Sequence, residues 1–85
     1  MENNKQAARP LSNIAHDIRR AWPNVNFAAR PYLAAMLQLN SIRDNYIYES
    51  GGDIVRRFLA NAATFRGIEA RLLKDELKAL LKAKL

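Results

Sequence analysis

The sequence predicts a small all-α protein: a compact, partly orthogonal four-helix bundle in a single domain. Three observations support this fold class. The chain has 85 residues, 49% of them hydrophobic, which suffices for one core but not for two. In four segments the apolar residues recur three and four positions apart, as they do in helices that bury one face. No segment alternates apolar and polar residues, so we expect no strand.

The N-terminal part of the chain predicts a tail followed by a helix. Residues 1–10 are polar and show no periodicity, so we expect a flexible tail before a single helical domain over 11–85. The first helix is predicted over 12–22, because Ser12 is a suitable N-cap and Pro23 cannot continue the helix. Its buried stripe consists of Ile14, Ala15, Ile18 and Trp22.

The second helix is predicted over 31–42, after a linker of residues 23–30 that Val25 and Phe27 anchor in the core. Pro31 suits the first helical position, where its missing N–H costs nothing. Apolar residues cover a wide face of this helix, which predicts a central position. These residues are Tyr32, Leu33, Met36, Leu37 and Leu39.

The third helix is predicted over 51–63. It starts with a capping box in which Ser50 caps the backbone and the Asp53 side chain reaches back to it. Its inward positions are Ile54, Val55, Phe58, Leu59 and Ala62.

The fourth helix is predicted over 66–84, directly after the third. We expect Arg66 to bond to the carbonyl end of the third helix, and Gly67 to permit close packing or a positive φ. The leucine stripe of this helix is Leu72, Leu73, Leu77, Leu80 and Leu81. The predicted common core is Trp22, Leu33, Met36, Leu37, Phe58, Leu59, Leu73 and Leu77.

The charge is strongly basic. Lys and Arg number 14 and Asp and Glu number 8, so the net charge is +6. Such an excess favours nucleic acid, a membrane surface or an acidic protein as a partner. If the partner is nucleic acid, arginine is the residue that pairs best with phosphate. The candidates are Arg19 and Arg20 with Arg30, or Arg56 and Arg57 with Arg66 and Arg71.

The connector of residues 44–49 contains two tyrosines, and the stretch from Asp44 to Asp53 contains three acids and no base. Tyrosine is enriched in protein interfaces because it combines apolar area with a polar tip. Tyr46, Tyr48 and Glu49 are therefore candidates for binding a protein partner. The alternative is that one or both tyrosines fold back over the second helix as a lid.

No residue set indicates catalysis or metal binding. The chain has no Cys and one His, His16, which excludes thiolate sites and ordinary zinc sites and leaves no catalytic triad. We therefore expect no enzyme activity and no cofactor. No apolar run is long enough to span a membrane, and the first residues do not resemble a signal peptide. We expect a cytoplasmic protein with no membrane partner.

A set of residues between Trp22 and Leu77 forms a recognisable pattern: Trp22, Pro31-Tyr32-Leu33, Ala35-Met36, Tyr46, Ser50-Gly51, Ile54-Val55, Phe58-Leu59-Ala60-Asn61-Ala62, Arg66-Gly67 and Ala70-Arg71. This pattern resembles a group of short proteins carried by phages and integrated mobile elements of bacteria. The resemblance implies a small accessory protein that acts inside a bacterial cell, and it assigns no activity. The sequence thus predicts a non-catalytic protein that binds a protein partner, with nucleic-acid binding through an arginine-rich face as the alternative.

Overall fold

The computed structural model describes residues 9–83. This part of the chain contains four helices and one short hairpin, joined by turns and loops. The helices are α1 (Leu11–Ala21), α2 (Arg30–Met36), α3 (Gly51–Ala60) and α4 (Ile68–Ala83). Strands β1 (Asn45–Tyr46) and β2 (Glu49–Ser50) pair antiparallel between α2 and α3. The four predicted helices are confirmed, whereas the expectation of a chain without strands is wrong.

Each helix packs against two others. Helix α1 contacts α2 and α4, and α3 contacts the same two helices. Six of the eight predicted core residues are buried between them, while Leu37 and Leu59 are partly buried at the edge of the core. The protein is therefore mostly helical and compact around one apolar centre.

Trp22 is the aromatic centre of this core and is only 8% exposed. Its ring stacks on Phe65, with centroids 4.9 Å apart and an interplanar angle of 9°. It also meets Phe58 edge to face at 6.2 Å. These contacts tie the end of α1 to α3 and to the segment that leads into α4.

Helix α1 begins at Leu11, and Ser12 does not cap it as predicted. The N–H groups of Leu11 and Ser12 donate to the carbonyls of Asn40 and Leu39, at 2.9 and 2.8 Å. Since the first N–H groups of a helix have no partner within the helix, these distant carbonyls take the place of a side-chain cap.

Helix α2 ends at Met36, well before the predicted end at residue 42. Asp44 explains part of the difference, because its Oδ2 accepts hydrogen bonds from the backbone N–H groups of Asn40 and Ser41, at 2.9 and 3.2 Å. A short carboxylate that binds nearby N–H groups offers the backbone an alternative to the helix. Residues 37–44 form turns as a result.

Helix α3 has the predicted cap, and its Asp53 plays a different role from the one expected. Ser50 Oγ accepts from the N–H of Asp53 at 3.1 Å. The Asp53 carboxylate pairs with Arg56 instead of reaching back to the cap. The helix ends at Ala60, not at residue 63, with Asn61 as its C-cap.

Of three apolar residues that the sequence predicted to pack in the core, one is buried and two are exposed. Val25 is buried as expected, whereas Phe27 is 87% exposed and Leu72 is 65% exposed. Helix α4 buries Ala70, Leu73 and Leu77, and this three-and-four spacing turns position 72 away from the core. The helix begins at Ile68 rather than at residue 66, and the predicted end at residue 84 lies outside the described residues.

Candidate anion-binding groove

Arg9 joins α1 to α4 at the start of the described chain, within the segment predicted to be a tail. Its Nη1 is 2.7 Å from Asp17 Oδ2 and its Nη2 is 2.8 Å from Glu76 Oε1. Hydrogen bonds to Glu76 and Asp17 raise the pKa of Arg9, and the bond from Arg9 lowers the pKa of Asp17. Residues 1–8, which form most of the predicted tail, lie outside the described part of the chain.

Three of the arginines that the sequence suggests for nucleic acid are paired with carboxylates. Arg20 pairs with Asp17 on α1. On α3, Arg56 Nη1 lies 2.7 Å from Asp53 Oδ1, and Arg57 Nε lies 3.3 Å from Glu49 Oε2. These pairs neutralise the outer faces of the two helices locally.

A groove along the first half of α4 has the opposite character. Its volume is about 660 Å³. We call it the α4 groove; its lining residues are Phe65, Arg66, Gly67, Ile68, Arg71, Lys74, Asp75 and Lys78. Within residues 9–83, none of its four basic side chains takes part in an ion pair. With four basic side chains and one acid, Asp75, the α4 groove therefore carries an excess of positive charge.

The cations of the α4 groove follow the pitch of the helix. Arg71, Lys74 and Lys78 are three and four residues apart, a spacing that places them on one face. The Cβ atoms of successive members are about 5–6 Å apart. Lys82 continues the same spacing beyond the groove. From Arg71 to Lys82 this stripe extends about 16 Å along the helix axis.

Lys74 lies at the centre of the stripe. Its Nζ is 5.7 Å from the centroid of the Phe65 ring. Burial, together with repulsion from Lys78 and Arg66, holds the pKa of Lys74 below its usual value. An anion bound here would relieve this repulsion, because an opposite charge favours the ammonium form.

The structure divides the predicted arginine faces. Arg66 and Arg71 lie together in the α4 groove. Arg56 lies elsewhere, near Gly52 and the other end of α4. The position that a Cβ on Gly52 would occupy is 3.7 Å from Arg56 Nη1 and 3.7 Å from Leu81 Cδ2. Arg19 and Arg30 line a separate slot between α1 and α2.

Sequence reasoning missed Lys74 and Lys78. Only arginines were named as phosphate-binding candidates, because arginine pairs best with phosphate, and none of the lysines of the fourth helix was considered for this role. The helical spacing of Arg71, Lys74, Lys78 and Lys82 was the available signal.

The hairpin gives each tyrosine a different environment. Tyr46 is partly buried and packs against the core, whereas Tyr48 at the tip is 97% exposed. Ile47, beside it, is 74% exposed and has a φ of 58°. This φ is unfavourable for a β-branched residue. Glu49 is partly buried and paired with Arg57.

The described residues offer little to a metal ion or a bilayer. Among residues 9–83, no group of three His, Cys, Asp or Glu side chains is close enough to hold a metal ion. None of the helices in that range is both long and apolar enough to cross a membrane. The α4 groove thus presents four cationic side chains and one carboxylate, that of Asp75.

Comparison with protein-family models found no match for this chain. Comparisons with curated proteins and with solved structures also found no significant similarity. The resemblance to proteins of phages and mobile elements therefore stays a prediction, and the candidate site depends on the geometry alone.

Proposed function

We propose that the protein is a non-enzymatic nucleic-acid-binding protein that holds a phosphate backbone in the α4 groove. One observation carries the proposal: four basic side chains line one groove beside a single acid, Asp75, and none of them forms an ion pair within residues 9–83, whereas Arg20, Arg56 and Arg57 are each paired with a carboxylate. Uncompensated cations in a groove attract phosphates and release the counterions of the nucleic acid.

The shape of the α4 groove favours a polymer over a small anion. The basic stripe continues to Lys82 and extends about 16 Å, whereas one strand of duplex DNA presents a phosphate about every 3.4 Å of its axis. The groove is open to solvent, and its Arg66 and Arg71 side chains are exposed. A row of exposed cations suits successive phosphates better than it suits one enclosed ligand.

Fluorescence polarisation with a labelled duplex DNA at increasing salt concentration tests the proposal. The logarithm of the binding constant falls linearly with the logarithm of salt, by about 0.9 for each phosphate neutralised. We expect the double variant Arg71→Gln/Lys78→Gln to reduce this slope by about 2, because two phosphate contacts are lost. We also expect the double variant to bind the duplex DNA more weakly at low salt, because it neutralises fewer phosphates.

The double variant Arg56→Gln/Arg57→Gln is the matched control. It removes the same charge from exposed helical positions, but these arginines are paired and lie outside the α4 groove. We expect it to keep a slope close to that of the unmodified protein. Equal losses in both double variants would show that binding follows net charge alone, and a lack of salt-dependent binding would overturn the proposal.

Binding of a protein partner through the hairpin tip is the second candidate, favoured by the exposed Tyr48 and the unusual backbone of Ile47. The sequence placed this function first. Within this candidate we propose the hairpin tip as the contact, because Tyr46 packs on the core and Glu49 pairs with Arg57. A cytoplasmic accessory role in a phage or mobile element belongs to the same proposal.

A pull-down with and without nuclease separates the two candidates. A partner captured through the tip stays bound after nuclease treatment and is lost in Tyr48→Ser. A partner captured through nucleic acid disappears with nuclease and depends on Arg71 and Lys78 instead.

A further inference from the structure

A second concave site lies between α1 and α2, away from the α4 groove. It has a volume of about 310 Å³. We call it the α1–α2 slot; its lining residues are Arg19, Pro23, Val25, Arg30, Leu33, Ala34 and Leu37. No acidic residue lines it, and it shares no residue with the α4 groove.

The floor and the rim of the α1–α2 slot differ in chemistry. Val25 and Leu33 are buried and Leu37 is partly buried, so the floor is apolar. Arg19 and Arg30 are exposed at the rim. Within residues 9–83, neither arginine forms an ion pair. The slot thus combines an apolar surface with two uncompensated guanidinium groups.

The Arg30 side chain is held in place at one end. Its Nε donates to the carbonyl of Val25 at 3.1 Å, which leaves the N–H groups of both Nη atoms available. A guanidinium fixed in this way loses less conformational freedom when it binds a carboxylate through two hydrogen bonds.

We infer that the α1–α2 slot receives an acidic segment of a protein partner, in which a carboxylate stands next to a bulky aliphatic side chain. The aliphatic side chain rests on Val25, Leu33 and Leu37 while the carboxylate pairs with Arg30 and Arg19. A volume of about 310 Å³ is at the lower limit for ligand pockets, which suits one or two side chains.

Charge and the apolar floor together favour this occupant over two others. A second copy of the chain carries the same net charge of +6 and is repelled, whereas an acidic segment is attracted. A nucleic-acid backbone satisfies the arginines but has no aliphatic group to cover the apolar floor. The inference is independent of the nucleic-acid proposal, because it concerns other residues and another ligand.

The probe is a short fluorescein-labelled peptide that alternates Glu and Leu. Two further peptides each lack one feature: Ser replaces Leu in the first, and Gln replaces Glu in the second. By fluorescence polarisation, we expect the Glu-Leu peptide to bind at least about tenfold more tightly than either of the others, since each has lost one of the two contacts. Equal binding by all three, or no binding of the Glu-Leu peptide, would overturn the inference.

Matched variants locate the binding. Ala34→Glu places a carboxylate in the α1–α2 slot, and Ala79→Glu makes the same change at an exposed helical position outside it. Arg30→Gln removes the fixed guanidinium, and Arg43→Gln removes an exposed arginine outside the slot. We expect Ala34→Glu and Arg30→Gln to weaken binding of the Glu-Leu peptide about tenfold, and their two controls to change it little.

Three other outcomes would contradict the inference. Equal losses in Ala34→Glu and Ala79→Glu, with unchanged melting curves, would place the peptide elsewhere. If dodecanoate displaces the peptide and binds more tightly in an Arg30-dependent manner, the slot takes a lipid-like carboxylate. If duplex DNA displaces it with the same dependence on Arg30, the slot takes phosphate.

Discussion

The chain turns twice around α3, and the two turns use their polar groups in opposite ways. In the entry corner, residues 40–52, the N–H groups of Gly51 and Gly52 donate to loop carbonyls and Glu49 pairs with Arg57. In the exit corner, residues 61–67, Phe65 stacks on Trp22, while the Arg66 side chain is exposed and forms no ion pair with any residue in the range 9–83. The polar groups of the entry corner are thus satisfied within the fold, whereas the exit corner is held by aromatic stacking and leaves the Arg66 guanidinium exposed.

The glycines of the two corners make the same distinction. A Cβ on Gly51 would lie 2.7 Å from the backbone oxygen of Ser41, so this position requires glycine for space. Gly67 has open space around it but a φ of 112°, so that position requires glycine for its backbone conformation. Of these two glycines, only Gly51 is required by the close approach of neighbouring backbone.

The largest expected effect concerns the aromatic stack that holds the exit corner. Trp22→Ala removes the contacts with Phe65 and Phe58, and we expect it to lower the free energy of unfolding by about 3–5 kcal/mol. Urea denaturation followed by circular dichroism measures this loss. Phe27→Ala is the control: its ring is 87% exposed, so we expect a change below about 0.5 kcal/mol. A loss of less than about 1 kcal/mol for Trp22→Ala would mean that stacking does not hold this corner.

Crowding at the entry corner gives the next effect. Gly51→Ala forces a Cβ against backbone atoms of Ser41 and Ile42, and we expect a loss of about 2 kcal/mol. At Gly52 the nearest atoms would be 3.7 Å away, so Gly52→Ala is tolerated and gains up to about 0.5 kcal/mol in helix propensity. Thermal melts of the two variants compare the positions directly. Similar melting temperatures would contradict the close approach at Gly51.

Sequence reasoning succeeded where local pattern determines the structure. The helical spacing of apolar residues located all four helices, and the Ser50 cap was correct because a cap involves only neighbouring residues. It failed where distant groups decide. Helix α1 starts early because of carbonyls in residues 39–40, and two-residue strands are too short to show an alternating pattern.

The candidate site was predicted only in part, for the same reason. Arg66 and Arg71 are among the arginines predicted from the sequence. The spacing of three residues between Asp53 and Arg56 indicates their pair within one helix, but nothing local showed that Arg57 would have an acid partner. Glu49 approaches Arg57 through the hairpin, a feature that the sequence did not predict. The pairing of charges, which separates free cations from neutralised ones, depends on the fold.

Backbone strain at Gly67 gives a smaller effect than crowding at Gly51. Gly67→Ala adopts a φ that L-residues disfavour, and we expect a loss of about 1 kcal/mol. Because nothing lies within 4 Å of the added atom, Gly67→Ser is expected to lose the same amount. At Gly51, Ser is expected to be worse than Ala. Denaturation of the four variants shows whether loss depends on side-chain size at Gly51 alone, and size dependence at Gly67 would contradict the distinction.

The hairpin tip of the entry corner offers a stabilising change. Ile47 has a φ of 58° and is 74% exposed, and Asn tolerates this conformation better than a β-branched residue does. We expect Ile47→Asn to raise the free energy of unfolding by about 0.5 kcal/mol. Tyr48→Asn, at a neighbouring position without a positive φ, is the control and brings no gain. A thermal melt in which Ile47→Asn is the less stable of the two would contradict this interpretation.

Arg66 should affect stability least. Its Nε is 3.4 Å from the carbonyl of Ala63 and its side chain is exposed, so we expect Arg66→Ala to cost less than about 0.5 kcal/mol. The same change removes one of the cations that repel Lys74, so the pKa of Lys74 should rise towards its usual value. An NMR titration of the Lys74 side chain measures this shift. An unchanged pKa would mean that the charge of Arg66 does not repel the Lys74 ammonium group.

The hydrogen bonds that start α1 have a consequence for the order of folding. Leu11 and Ser12 are joined to Asn40 and Leu39, so the first turn of this helix is completed only after the chain has closed a long loop. Closing such a loop costs conformational entropy before any contact compensates for it. We therefore expect the beginning of α1 to become stable together with the turn after α2, and the amide protons of Leu11 and Ser12 to exchange with solvent whenever that turn opens.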